Sequence, residues 1–180
     1  MALALTEFEA LCSFAPHEEL LAAFDSVPEL ADCCGAERVA AYRDSPEGSP
    51  QRRAALREAF GHLMACPPAL AAAAVAAMCG RLQADAAGGR ALSPRESLAL
   101  RLQEQYPGDV GVLAAWFLNY LRLQPGQAVA LPANEPHAYL SGEIIECMAA
   151  SGAWAGQPAW LAGAGCTVRG AGCVVVERRC

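Results

Sequence analysis

The hydrophobic and polar positions fall into two regimes. Up to about residue 116 the apolar residues recur with helical spacing; beyond it they alternate. Ala2 to Thr6 reads as a short strand. Pro16 stands at a favourable first helical position, with Glu18 and Glu19 in the first turn. Leu20, Leu21 and Phe24 then form one apolar face, and Pro28 ends that helix. Residues 44–50 (Asp-Ser-Pro-Glu-Gly-Ser-Pro) read as a loop, with Ser49 as the cap of the next helix and Pro50 at its first position. Leu56, Phe60, Leu63 and Met64 lie on one helical stripe, which Pro67-Pro68 breaks. An alanine-rich helix over 69–86 closes at Gly88-Gly89; alanine buries little area, so this helix needs partners on both sides. Ser93 and Glu96 fit a capping box opening a helix to about Gln105, and Tyr106-Pro107-Gly108-Asp109 reads as a turn.

The period then changes. Leu118, Tyr120 and Arg122 fall on one side of an extended segment, and Phe117, Asn119, Leu121 and Leu123 on the other. Pro125-Gly126 is a turn, Gln127 to Leu131 is strand-like, and residues 132–136 form a second turn. His137 to Leu140 and Glu143 to Met148 flank Ser141-Gly142, which reads as a two-residue hairpin loop. In that hairpin Leu140 pairs with Glu143, Tyr139 with Ile144 and His137 with Glu146. His137, Tyr139, Ile144, Glu146 and Met148 then share one face. An imidazole, a phenol and a carboxylate so gathered make a metal or acid–base wall. The alternative is a half-exposed sheet face carrying polar residues by chance. Helices followed by strands predict an α+β fold. From residue 151 the chain is rich in Gly and Ala without period, with a stub of strand at Val174-Val175-Val176 and poor order expected.

Composition narrows the function classes. Of the 180 residues 54% are hydrophobic and 18% charged, enough for a packed core. All 13 basic residues are arginine. The absence of lysine excludes a Schiff-base lysine and a Walker A loop within the chain. A formal net charge of −6 speaks against a nucleic-acid partner. The apolar run from Ala69 to Met78 is too short to span a membrane, and the N-terminus lacks the basic region of a secretory signal. A cytoplasmic location with reduced thiols is therefore expected. The nine cysteines form no Cys-x-x-Cys pair. Adjacent Cys33 and Cys34 read as small buried hydrophobes near a turn rather than as a redox pair. His17 and His62 fall on helices as solvated or satisfied positions, and Arg52, Arg53 and Arg57 on a solvated helix face.

One segment carries more. Residues 137–151 read His-Ala-Tyr-Leu-Ser-Gly-Glu-Ile-Ile-Glu-Cys-Met-Ala-Ala-Ser. They resemble the second signature of the type I mannose-6-phosphate isomerases (phosphomannose isomerases). That signature is His-Ala-Tyr, an aliphatic, any residue, Gly, two of any kind, an aliphatic, Glu, any residue, Met-Ala, any residue, Ser. The approach is similar too: Gln105 to Gly111, Phe117-Leu118-Asn119, Pro125-Gly126 and Ala133-Asn134. Ala4-Leu5-Thr6, Phe8, Leu11-Cys12 and Phe14-Ala15-Pro16 resemble the family's entry into its helical domain. The likeness covers about residues 1–151 and is most specific over 105–151.

The resemblance implies a helical insertion domain followed by part of a cupin-like, zinc-binding β barrel. On that reading residues 1–6 are a strand remnant of the barrel, 7–116 the helical domain, 117–151 a partial β segment and 152–180 a divergent tail. It implies interconversion of mannose 6-phosphate and fructose 6-phosphate through a cis-enediol, in the supply of GDP-mannose precursors. His137 takes the place of a zinc ligand; Tyr139 and Glu146 take pocket-lining places, Glu146 in proton handling. Arg169, in Thr167-Val168-Arg169-Gly170, faintly echoes a catalytic arginine of the family. The family's other ligands, a Gln-x-His pair and the Glu of His-Lys-Pro-Glu, do not occur here. With one zinc ligand of four, the chain alone is expected to bind zinc weakly and to lack isomerase activity. The competing expectation is a non-catalytic helical interaction module.

Overall fold

The computed structural model describes residues 1–131 and 135–147, and the backbone of 174–179. The chain divides into two compact units, Met1–Phe14 with Leu118–Cys180, and Ala15–Phe117. The first is a curled antiparallel sheet and the second is helical, the α+β arrangement expected.

The helical unit contains α1 (His17–Ser26), α2 (Pro28–Cys34), α3 (Ala36–Asp44), α4 (Pro50–Met64), α5 (Pro68–Ala87), α6 (Pro94–Gln105) and the short α7 (Gly111–Ala114). Local chemistry sets its boundaries. Ser49 accepts from the Arg52 amide at 3.0 Å, and Pro50 fills the first position of α4. The capping box opens α6: Ser93 accepts from the Glu96 amide at 3.2 Å, and the Glu96 carboxylate accepts from the Ser93 amide at 2.7 Å. Pro28 does end α1, but it also starts α2, because a proline at the first position loses no helical hydrogen bond. Gly35, at φ 85°, then separates α2 from α3.

The core of this unit gathers Leu20, Phe24, Leu30, Leu63, Val75, Met78, Leu82, Leu98 and Phe117, all buried. Phe117 meets Phe24 and Phe60 edge-on, at ring separations of 5.7 and 5.3 Å. The buried stripe of α4 runs through Ala55, Ala59 and Leu63, one position round from the expected one, with Phe60 on its margin. Arg81 grips Glu29 with two hydrogen bonds, Nε at 3.2 Å and Nη2 at 2.8 Å, tying α5 to α2. No single helix among the described residues is long and apolar enough to cross a membrane.

The sheet holds β1 (Ala2–Ala4), β2 (Phe8–Phe14), β3 (Leu118–Leu123), β4 (Ala128–Val129), β5 (His137–Cys147) and β6 (Val174–Arg179). The order is β3-β2-β5-β1-β4, with β6 pairing β5, and every pairing is antiparallel. Two expectations change here. Residues 8–14 are a strand, not the start of the helical unit; Phe8, Ala10 and Cys12 alternate inward, a period of two masked in sequence by buried Leu11 on the other face. And residues 137–147 are one strand, with no hairpin at Ser141-Gly142.

Gly142 serves a close approach instead of a turn. Its φ is 98°, and a Cβ there would lie 2.3 Å from the Glu7 carbonyl oxygen and 2.8 Å from the Phe8 Cα. Beside it the register slips. Glu9 pairs with Ser141 and Ala10 with Tyr139, so Leu140 is the extra residue of a β-bulge. A second bulge lies in β2, where Cys12 pairs with Asn119 and Phe14 with Leu118. The residue between them, Ser13, has φ 52°. The Asn119 amide steadies that bulge, donating to the carbonyls of Cys12 at 3.0 Å and Phe14 at 2.9 Å.

Candidate functional site

The bulge at Leu140 decides which side chains of β5 meet. In a regular strand residues at odd and even positions face opposite ways. After one extra residue the parity reverses. Cys12 pairs with His137, Ala10 with Tyr139, Ala4 with Ile144 and Ala2 with Glu146. Ala2, Ala4, Phe8, Ala10, Cys12 and Ile144 form one buried apolar cluster, with Tyr139, Leu121 and Leu123 packed against it. His137, Tyr139, Ile144 and Glu146 therefore share the inner face. The expected gathering occurs, by a bulged, bent strand in place of a hairpin.

The polar members touch. Tyr139 Oη donates to Glu146 Oε1 at 2.6 Å. The Tyr139 ring stands edge-on to Phe8, with centroids 5.3 Å apart, and 5.5 Å from the imidazole of His137. Tyr139 and Glu146 are half-buried, while His137, at the strand's start, is exposed. His137 Nδ1 lies 2.9 Å from the Glu135 carbonyl oxygen, which fixes the ring and leaves Nε2 as its outward nitrogen.

Zinc asks for about four ligands. His137, with its Nδ1 against the Glu135 carbonyl, could offer one at most. Among the described residues no group of three or more His, Cys, Asp or Glu is placed to hold a metal. These residues do not make a zinc site by themselves. Cys12 is paired with His137 but is not a ready thiolate, because burial pushes its pKa up to about 11. Arg169 and Met148 lie outside the described residues.

The outer face carries a network that sequence reasoning missed. The Glu9 carboxylate accepts from Tyr120 Oη and from Ser141 Oγ, the latter at 3.0 Å, and pairs with Arg122 Nε at 3.1 Å. Burial and the bond to Glu9 raise the Tyr120 pKa. This network joins β2, β3 and β5 across the back of the wall and so holds the bulged register. Its signal was present in the alternation of Tyr120 and Arg122, but Glu9 lay in a stretch read as helical.

Comparison with known proteins agrees with this architecture. Residues 36–118 match the family model "Phosphomannose isomerase type I, helical insertion domain". The chain is 40% identical over 152 residues to mannose-6-phosphate isomerase 1 of Arabidopsis thaliana, covering 84% of this chain and 35% of that protein. It is 39% identical over 153 residues to the mannose-6-phosphate isomerase of Rattus norvegicus, covering 84% and 36%. The chain thus spans about a third of the length of the curated relatives it matches. Among solved structures, a phosphomannose isomerase variant from Salmonella typhimurium superposes with a TM-score of 0.61 at 25% identity, covering 79% of this chain and 33% of that one. A mannose 6-phosphate isomerase bound with zinc and yttrium gives a TM-score of 0.61 at 25% identity, covering 79% and 32%. The helical unit thus matches the model of the type I phosphomannose isomerase helical insertion domain, and the chain resembles mannose-6-phosphate isomerases over 84% of its own length.

Proposed function

We propose that this chain supplies one wall of a mannose-6-phosphate isomerase site, together with the helical insertion domain. The observation that carries the reading is the Tyr139–Glu146 hydrogen bond on the face that also bears His137. Interconverting an aldose and a ketose phosphate moves a proton between C1 and C2 through a cis-enediol. A carboxylate at hydrogen-bond reach of those carbons can take and return that proton. Tyr139 holds one oxygen of Glu146 and leaves the other for substrate. Within such a pocket Tyr139 also sets the carboxylate's direction against the flexibility of its side chain.

Zinc, bound in the related structure, supplies Lewis-acid stabilisation of charge on the sugar oxygens. Here His137 would be one of its ligands; the others are not among the described residues. On this reading the strands form part of a cupin-like barrel, Arg169 takes the place of the family's arginine, and the enzyme works in the cytoplasm on GDP-mannose precursors. The 180-residue chain by itself does not complete the site and does not turn over.

The test is a segment exchange. Residues 1–151 replace the matching segment of the Arabidopsis relative, and conversion of mannose 6-phosphate to fructose 6-phosphate is followed in a coupled assay. The chimera should be active, and His137→Ala or Glu146→Gln within it should lower kcat by about 100-fold or more. A folded, zinc-loaded chimera without activity contradicts the proposal. So does robust turnover by the 180-residue chain alone.

A further inference from the structure

Three serines precede a proline: Ser45, Ser49 and Ser93. The first two bound the loop between α3 and α4, where Pro46, Glu47 and Gly48 are exposed. Gly48, at φ 67°, has open space around it. The three hydroxyls stand in different surroundings. Ser45 Oγ is engaged, donating to the Ala41 carbonyl at 2.6 Å. Ser93 lies against a carboxylate, since Glu96 Oε2 accepts from its amide at 2.7 Å. Ser49 Oγ accepts from the Arg52 amide at 3.0 Å and gives its own proton to no acceptor among the described residues. Its neighbours are arginines: Ser49-Pro50-Gln51 runs directly into Arg52-Arg53. Both guanidinium groups fold back over the loop that carries Ser49. Arg53 Nη1 donates to the Gly48 carbonyl at 2.8 Å, and Arg52 Nη2 to the Ser45 carbonyl. Arg52 Nε and Nη1 are buried and have no partner among the described residues. Neither arginine meets a carboxylate there, and the loop's one carboxylate, Glu47, is exposed. Buried donors left unmet are costly, so the loop holds groups suited to an oxyanion.

We propose that Ser49 is a phosphorylation site for a proline-directed protein kinase, and that Arg52 and Arg53 receive its phosphate. A proline directly after the acceptor and an arginine three residues after it make the charge pattern such kinases read. The γ-phosphoryl group passes from ATP to Ser49 Oγ. An O–P bond forms, the bond to the bridging oxygen of ADP breaks, and the hydroxyl proton goes to the kinase's catalytic carboxylate. Kinases bind extended segments, so the first turn of α4 has to open to be read, and helix ends open at little cost. When the turn recloses, the phosphate brings negative charge and three strong acceptor oxygens to two guanidinium groups that otherwise hold only backbone carbonyls. The modified start of α4 is therefore more stable than the unmodified one. A phosphate on Ser45 would stand at the C-terminal end of α3, and one on Ser93 beside Glu96, both places that repel it. The proposal concerns the helical unit alone and stands apart from the isomerase reading.

The test uses the whole 180-residue chain, incubated under native conditions with ATP and a purified cyclin-dependent kinase and mapped by peptide mass spectrometry. The expected product carries one phosphate, on Ser49. Its Tm should exceed that of the unmodified chain by about 2 °C or more, and phosphatase treatment should reverse the rise. Ser49→Asn keeps a capping side chain and should take up no phosphate at that position. Arg53→Gln leaves Arg52 for the kinase to read, so it should still be phosphorylated, with a smaller rise in Tm. Absence of phosphate from Ser49 overturns the proposal. So does phosphate that goes first to Ser45 or Ser93. Phosphate on Ser49 with an unchanged or lowered Tm, or a rise that Arg53→Gln leaves intact, contradicts the receiving role of the arginines.

Discussion

Tyr139 and Glu146 lie seven residues apart on one strand, yet their side chains are joined by a 2.6 Å hydrogen bond. A straight strand would separate them by about 23 Å and point them to opposite faces. Two local features remove both obstacles. The extra residue Leu140 restores a common face, and Gly142, at φ 98° against the Glu7 carbonyl, lets the strand bend sharply. The curl of the sheet and the assembly of the wall are therefore the same structural event.

Gly142 should be intolerant of any side chain. Its positive φ strains an L-residue, and a Cβ would meet backbone, which cannot move aside as a side chain can. Gly142→Ala is expected to cost about 3 kcal/mol or more. Urea unfolding of the two proteins measures this, and a loss below about 1 kcal/mol would show that the bend does not need glycine.

Asn119 holds the bulge at Ser13 through the carbonyls of Cys12 and Phe14. Asn119→Ala takes that donor away from buried Cys12 and half-buried Phe14, at a cost of about 1–3 kcal/mol. Asn119→Asp should be no better, since a carboxylate offers acceptors where donors are needed. Thermal unfolding of both variants checks the pair.

The first turn of α6 is acid-sensitive. The Arg90 guanidinium beside Glu96, and then its backbone partner at Ser93, hold that carboxyl below its ordinary value. A carboxyl with a lowered folded pKa stabilises the fold above its unfolded pKa, and the gain is lost as pH falls through the folded one. Glu96→Gln should thus be less stable than the parent at pH 7. The two should converge below about pH 4, measured as Tm against pH. A constant gap across that range would remove Glu96 ionisation from the account.

Zinc affinity should reflect a single imidazole. Titration calorimetry of the 180-residue chain is expected to show only weak zinc binding, reduced further in His137→Ala. Tight stoichiometric binding would reveal ligands beyond those described.

How much of this was legible in the sequence depends on the range of the cause. Caps are local, so Ser49, Ser93 and Glu96 were readable from a few residues, and their helices followed. Pro28 reads as a stop because the sequence shows where a helix ends more plainly than where the next begins. The strand Phe8–Phe14 was missed because its alternation is spoiled by Leu11, buried on the opposite face. Ser141-Gly142 looks like a hairpin turn, since glycine at positive φ serves both a turn and a close approach. Only the neighbouring strand, more than a hundred residues away in sequence, decides between the two. The shared face survived that error because a tight two-residue turn and a one-residue bulge both put positions 139 and 146 on one side.

The coupling between Tyr139 and Glu146 tests the account most directly. A double-mutant cycle with Tyr139→Phe, Glu146→Gln and the pair, read by denaturant unfolding of the 180-residue chain, isolates their interaction. A coupling of about 1 kcal/mol or more is predicted. Additive single effects, with no coupling at neutral pH, would mean that the two side chains do not meet and that the wall is not assembled.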